Sequence, residues 1–396
     1  MITEVNSQRL AEDIVRRVRK VVGKSKDMIP LHIPEFTGRE WELVKNCLDT
    51  GWVSYAGSYV DEFEKDLAEF CGVKYSVAVV NGTVALHIAL SICGVSHGDE
   101  VLLPALTFVA TANAVAHAGA TPHFVDACEE TLGLDPKALR HHLEETATMG
   151  PNGAVNRKTG RRIAAIVPMH AFGFPVDMEP LLELSSEWNI PIVEDSTESL
   201  GSTYRGRPCG SFGLMGTLSF NGNKIITTGG GGALLTDNEA LAKRAKHLTT
   251  TAKRPHRWEF FHDEIAYNYR LPNINAALGC AQLEQLPSRI EAKRRVAERY
   301  AVAFADLNGA RILKEQPGSF ANYWLNALIF DHDRATTRDA VLAALNDSGL
   351  MARPIWTLMH RLPMYADAPR ADLTVSESLA SRVINLPSSA YLAGAT

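Results

Sequence analysis

Between residues 75 and 250 the chain switches again and again from a short β-rich run to a helix-length segment. The strand candidates are Tyr75–Val80, Glu100–Leu103, His123–Asp126, Ile163–Val167, Pro191–Glu194, Thr217–Phe220 and Ala233–Thr236. Helix-length segments such as Val84–Cys93, Ala110–Ala118, Pro136–Leu143, Met178–Trp188 and Glu239–Thr249 lie between most of them. Neighbouring parallel strands need a long crossover, usually a helix, and strands covered on both faces read as apolar runs. The pattern therefore calls for an α/β domain with a mostly parallel sheet.

The texture changes after about residue 285. A long charged helix at Ser288–Leu307 leads to the strand-like Tyr323–Phe330, a helix at Thr337–Ser348 and a Pro-containing tail. At the other end Leu10, Ile14, Val18 and Val21 lie at helical spacing among charges, followed by a linker, Gly23–Pro30. The expected division is 1–30 as N-terminal helix and linker, 31–285 as the large domain, and 286–396 as a smaller α+β domain. Gly150–Arg162 reads as a polar surface loop.

Composition removes several classes of function. At 396 residues and 46% apolar the chain can bury a large core and is not disordered. With 40 Lys+Arg against 45 Asp+Glu, a net charge of −5 and no basic block, it is a poor nucleic-acid binder. Residues 101–120 hold no Asp, Glu, Lys or Arg, but Pro104, Thr107, Thr111, Asn113 and His117 interrupt them, so they read as strand, turn and buried helix rather than a membrane span. Six scattered cysteines with no C-x-x-C pair fit a reduced compartment. The N-terminus lacks the apolar run of a secretory signal, and the expected location is cytoplasmic.

The richest stretch is Leu218–Thr236. Lys224 stands alone between two apolar strands, with Ser219 and Gly222 nearby and a run of four glycines, Gly229 to Gly232, after it. Ligand sites of α/β sheets form where such loops leave strand ends, and small polar groups suit phosphate. The nucleotide loop G-x-x-x-x-G-K-[ST] is absent, because Asn223 precedes the lysine and Ile225 follows it. A second element ends an apolar run in Glu194-Asp195. Strand neighbours face opposite sides, so one of the two faces the site and a paired acid/base dyad is not expected. Asn81-Gly82-Thr83 joins a strand to a helix and would present free N–H groups to an anion. Phe108 follows a strand end, as a core aromatic or as the stacking face for a flat ligand. The histidines lack metal-ligand spacing such as H-E-x-x-H, and no metal is expected. Phosphate donors, an aromatic plate, a strand-end aspartate and a lysine form the set needed to hold pyridoxal phosphate.

These motifs resemble those of the pyridoxal-phosphate-dependent sugar aminotransferases of the DegT/DnrJ/EryC1/StrS family from about residue 31 onward. The matching segments are Asn81–Leu86, Pro104–Thr111, Glu194–Gly201, Ser219–Lys224 and Tyr267–Leu271. The resemblance implies a type I aminotransferase fold: a mostly parallel seven-stranded sheet with helices on both faces and a smaller C-terminal α+β domain. By position, Lys224 would form the imine with the cofactor and shuttle the proton. Asp195 would bind the ring nitrogen, Glu198 would lie near the ring hydroxyl, and Phe108 would stack on the ring. Gly82, Thr83 and Ser219 would hold the phosphate, joined by Asn268 from the partner in a homodimer. The chain departs from many relatives at Asn221-Gly222, where they have His-Pro, and at Phe174, where they often have His.

Gly51–Gly57, Arg353–His360 and Ile384–Ser389 are most similar to the branch that aminates C4 of UDP-linked 4-keto-6-deoxy-N-acetylhexosamines on routes to legionaminic acid or bacillosamine-type sugars. That implies L-glutamate as donor, pyridoxamine phosphate as the intermediate cofactor form, and Ser54 and His360 as substrate contacts. The alternatives are amination at C3, a sugar dehydratase, and a non-catalytic cofactor or sugar sensor. The dehydratases carry histidine where this chain has Lys224, and no DNA-binding region accompanies the intact motif set.

Overall fold

In the computed structural model, which describes residues 2–151 and 153–395, the seven expected strands form one layer. They are β1 (Tyr75–Val79), β2 (Glu100–Pro104), β3 (Thr121–Val125), β4 (Ile163–Ile166), β5 (Val193–Asp195), β6 (Met215–Ser219) and β7 (Gly232–Thr236). Strands β3, β2 and β4 pair in parallel, as do β5 and β6, and the parallel bridges Ile166↔Ile192 and Met169↔Asp195 join the two groups. Strand β7 runs antiparallel between β6 and β1. The order is therefore β3-β2-β4-β5-β6-β7-β1 with one reversed strand, the mostly parallel sheet expected. Its central strands are buried along almost their whole length, which is why they read as unbroken apolar runs.

The helices are α1 (Ile2–Val22), α2 (Glu40–Thr50), α3 (Ser58–Phe70), α4 (Gly82–Ile92), α5 (Val109–His117), α6 (Pro136–Thr146), α7 (Met178–Trp188), α8 (Glu239–Thr249), α9 (Asn273–Glu284), α10 (Leu286–Ala303), α11 (Arg338–Asp347) and α12 (Thr374–Arg382). A second, antiparallel sheet has the order β8-β9-β11-β10, from β8 (Ala310–Ile312), β9 (Asn326–Phe330), β10 (Arg353–Pro354) and β11 (Val383–Leu386). The apolar stripe of α1 is covered: Ile14, Val18 and Val21 are buried in a core shared with Val296 and Tyr300 of α10 and Leu345 of α11.

The reading of Gly150–Arg162 as a surface loop is corrected. Gly153–Asn156 pairs with Ala147–Gly150 in a hairpin, and Val155 bridges Arg162. The reason is Glu100, which opens β2 with no exposed surface and needs donors. The insertion supplies two of them, Thr159 Oγ1 at 2.6 Å and Asn156 Nδ2 at 2.8 Å, while His123 Nδ1 lies 2.8 Å away.

Beyond His123 stands His142, with the two Nε2 atoms 2.7 Å apart, so one imidazole donates and the other accepts. Burial, and then the neighbouring His123, push the His142 pKa down to about 4. An unfolded histidine takes its proton near pH 6.5, which the folded site refuses until about pH 4, so stability is expected to fall as pH drops through that window. With allowance for residual solvent access the loss from pH 7 to pH 5 should be about 1–2 kcal/mol. Urea midpoints at the two pH values check this: the loss should shrink in His142→Gln, and an equal loss in both proteins would contradict it.

Candidate active site

The site lies at the carboxyl ends of β5 and β6, where the sheet passes from one chain crossover to the next. Asp195 closes β5 and pairs with Thr217 of β6. It is 2% exposed. Its Oδ2 accepts from Thr111 Oγ1 at 2.7 Å, and its Oδ1 from Thr197 Oγ1 at 2.7 Å and Thr197 N–H at 3.2 Å. Thr107 Oγ1 lies 2.8 Å from the Thr111 hydroxyl, so the head of α5 is tied to the strand end. Glu194, one residue back, faces the other side of the sheet. Its carboxylate accepts from the N–H groups of Gly210, Phe212 and Gly213 and lies 3.2 Å from His170 Nε2, so it is spent on structure.

The turn after β6 delivers Lys224. Lys224 N–H donates to Asn221 O at 3.0 Å, and Phe220 N–H and Thr228 N–H close the loop through Gly231 O and Phe220 O. Lys224 Nζ lies 3.1 Å from Glu198 Oε1, with the lysine side chain 11% exposed and the glutamate 1%. Glu198 Oε2 accepts from Phe172 N–H at 2.8 Å. Burial raises the Glu198 pKa, and the Lys224 charge opposes that shift without cancelling it. The second face of the lysine amine meets an indole: Nζ is 4.2 Å from the Trp324 ring centroid.

Gly82 and Thr83 open α4 directly beside Ser219. Asn81 caps the helix by accepting from Val84 N–H at 2.9 Å and Ala85 N–H at 3.1 Å. The Gly82 and Thr83 N–H groups have no acceptor among the described residues. A Cβ on Gly82 would stand 2.9 Å from Ser219 Cβ and 3.1 Å from Thr197 Cγ2. The glycine run is explained close by: a Cβ on Gly232 would meet the Asn81 carbonyl carbon at 2.5 Å. Without that glycine, β7 could not pass beneath the head of α4.

Phe108 is 48% exposed at the start of α5, between Thr107 and Thr111, the second of which serves Asp195. It is a free aromatic face at the strand ends and not a core residue. Ser54 is exposed in the turn before α3, where its carbonyl accepts from Asn273 N–H at 3.1 Å. Asn268 is exposed beside Thr250 and makes no side-chain hydrogen bond among the described residues. His360 Nε2 lies 3.2 Å from Glu377 Oε1, and its Nδ1 is buried with no partner among the described residues.

These residues fit pyridoxal phosphate. Two free N–H groups at a helix start, with a hydroxyl across a gap that only glycine leaves, suit a phosphate. A buried carboxylate oriented by two hydroxyls keeps lone pairs for a ring N–H, and an amine waits at the neighbouring strand end.

Sequence reasoning gave no role to Thr111, Thr197, Phe172 and Trp324. Thr111 and Thr197 sit inside the quoted motifs; Thr197 is two residues past Asp195, a local signal, whereas Thr111 is 84 residues away and only the fold brings it there. Phe172, with φ +55, and Trp324 come from distant segments, and nothing local marks them.

The DegT/DnrJ/EryC1/StrS aminotransferase family profile matches residues 34–396. A GDP-perosamine synthase of Caulobacter vibrioides is 38% identical over 366 residues, 92% of this chain and 94% of that protein. The putative pyridoxal phosphate-dependent aminotransferase EpsN of Bacillus subtilis is 36% identical over 91% of this chain and 90% of its own length. The crystal structure of the aminotransferase TlmJ from Streptoalloteichus hindustanus superposes with a TM-score of 0.82 at 30% identity, covering 91% of this chain and 93% of that one.

Proposed function

The chain belongs to the DegT/DnrJ/EryC1/StrS aminotransferase family, and from that premise we propose that it moves the amino group of L-glutamate to the C4 ketone of a nucleotide-linked 4-keto-6-deoxy sugar. It is a sugar aminotransferase that depends on pyridoxal phosphate. The observation that carries the reading is the Lys224 amine at 3.1 Å from Glu198 on one strand end, with the Asp195 carboxylate on the next.

Pyridoxal phosphate, when bound, supplies the electron sink that takes the amino group from the donor and yields it to the ketone. The chain does the rest. Lys224 carries the proton at Nζ, and a fixed position makes that transfer fast. Glu198 holds the amine in place, and Asp195 accepts the ring N–H. Gly82, Thr83 and Ser219 take the phosphate, and Phe108 stacks on the ring. Ser54 and His360 are assigned to the substrate, His360 through its unpartnered Nδ1. The sugar is read first as UDP-2-acetamido-2,6-dideoxy-4-keto-hexose, made for a surface glycan in the cytoplasm. The name of the Caulobacter relative supports a second reading, a GDP-linked 4-keto-6-deoxyhexose. The test is to incubate the enzyme with glutamate and UDP-, GDP- and dTDP-linked 4-keto sugars. The highest kcat/KM is expected with the UDP sugar, a GDP preference selects the second reading, and failure to aminate any of them overturns the proposal.

We also propose that the working unit is a homodimer in which the partner's Asn268 completes each phosphate site. Support comes from the segment around it, where Trp258, Phe260, Phe261 and Ile265 expose 57–94% of their surface, more than an isolated chain tolerates well. In a two-fold dimer both sites are built by the same exchange. Mixing inactive Lys224→Ala with inactive Asn268→Asp should therefore restore activity, since the mixed dimer has one site with both natural groups. Subunit exchange without recovered activity would contradict the shared site.

A further inference from the structure

Trp324 precedes β9 in the C-terminal part of the chain and is 5% exposed. Three hydrogen bonds hold it, one of them to the Lys224 turn. Its Nε1–H donates to Asn223 O, the carbonyl just before Lys224, at 2.7 Å. Its backbone N–H donates to Asn322 Oδ1 at 2.8 Å, and its carbonyl accepts from the buried Lys293 Nζ at 3.0 Å. Asn322 Nδ2 in turn donates to Glu198 O at 3.0 Å and Leu200 O at 2.9 Å. The indole is thus referenced to the same segment that carries the Glu198 carboxylate.

The backbone is bent to make this docking. Tyr323 sits at φ +50, a conformation that non-glycine residues adopt only when their surroundings impose it. Gly173 makes room: a Cβ there would lie 1.9 Å from Asn322 Oδ1. The result is a lysine amine held between a carboxylate oxygen at 3.1 Å and an aromatic face at 4.2 Å.

We propose that Trp324 is a positioning residue for Lys224: its indole face and the Glu198 carboxylate together hold the lysine amine in line for proton transfer, while the Nε1–H bond fixes the turn that delivers it. The proposal rests on Lys224 as the proton carrier, but its first test does not. A cationic amine over an indole gains attraction on one side and loses access to solvent there. In cofactor-stripped protein, Lys224 should therefore react slowly with trinitrobenzenesulfonate, measured by mass spectrometry against the exposed Lys45. W324L is expected to speed Lys224 labelling about tenfold, and W324F, which keeps a ring face, to stay within about threefold of wild type.

In the holoenzyme an amine misplaced by an ångström loses up to about 100-fold in rate, so W324L should lower kcat about 30-fold or more with the sugar KM within about twofold. W324F should recover most of that loss. Wild-type labelling of Lys224 in folded W324L, or a raised KM with kcat retained, would overturn the proposal. If W324L does not fold, W324F decides: wild-type kcat overturns the proposal, and a several-fold lower kcat at unchanged KM supports it. Faster labelling in a protein that aminates no sugar would keep the positioning role and refute the function, so the two failures are distinct.

Discussion

Lys224→Ala is expected to abolish amination of the sugar, with kcat reduced by at least about 10⁴-fold, the upper range for removing a positioned proton carrier. The fold should survive. Among the described residues Lys224 makes a single side-chain hydrogen bond, to Glu198, and rests on Trp324. Its removal leaves the Glu198 carboxylate alone in the interior, which for a group that must stay charged would cost about 3–5 kcal/mol. Burial already raises the Glu198 pKa, however, and Phe172 N–H still serves Oε2. Protonation of Glu198 offers a cheaper exit than unfolding, and a loss nearer 1–3 kcal/mol is expected. Single-turnover assays with glutamate and keto-sugar, set beside a urea titration, measure both effects. Amination close to wild type in the alanine variant would remove Lys224 from the mechanism.

The second large effect is expected from Asp195→Asn. The amide keeps the shape, and the Thr111 and Thr197 hydroxyls, each able to donate or accept, can turn to suit it. Folding should be little disturbed. What goes is the negative charge in a site with 2% exposure, where a charge acts across low dielectric. Each pKa unit lost from the ring nitrogen it serves is about 1.4 kcal/mol, and a shift of two units would lower kcat about 100-fold. The comparison is kcat against the thermal midpoint. A stable Asp195→Asn protein with wild-type kcat would show that this aspartate has been misassigned.

The sequence was informative where the determinants are local. Buried parallel strands are mostly apolar, so Val101–Pro104 and Ile163–Ile166 are visible as runs, and the crossover helices between them follow from their length. The alternation within β5 separated Asp195 from Glu194, and the two do face opposite sides. Phe108 could not be assigned to core or ligand by pattern, because a residue at a helix start has no periodic partner to fix its side. The hairpin at 147–156 was missed for a different reason. It exists to satisfy Glu100, about fifty residues earlier, and polarity alone reads as solvent. Trp324 was invisible because it reaches Lys224 from 100 residues downstream, and a buried tryptophan has the same local signature whether it packs a core or an active-site amine.

The most direct test of the central claim follows nitrogen from donor to sugar. The enzyme is incubated with [15N]glutamate and a nucleotide-linked 4-keto-6-deoxy sugar, and the product is read by NMR. One 15N bonded to C4, one equivalent of 2-oxoglutarate formed, and no label in the Lys224→Ala control are the expected results. Label on C3, loss of a sugar hydroxyl without incorporated nitrogen, or full labelling by the alanine variant would contradict the account.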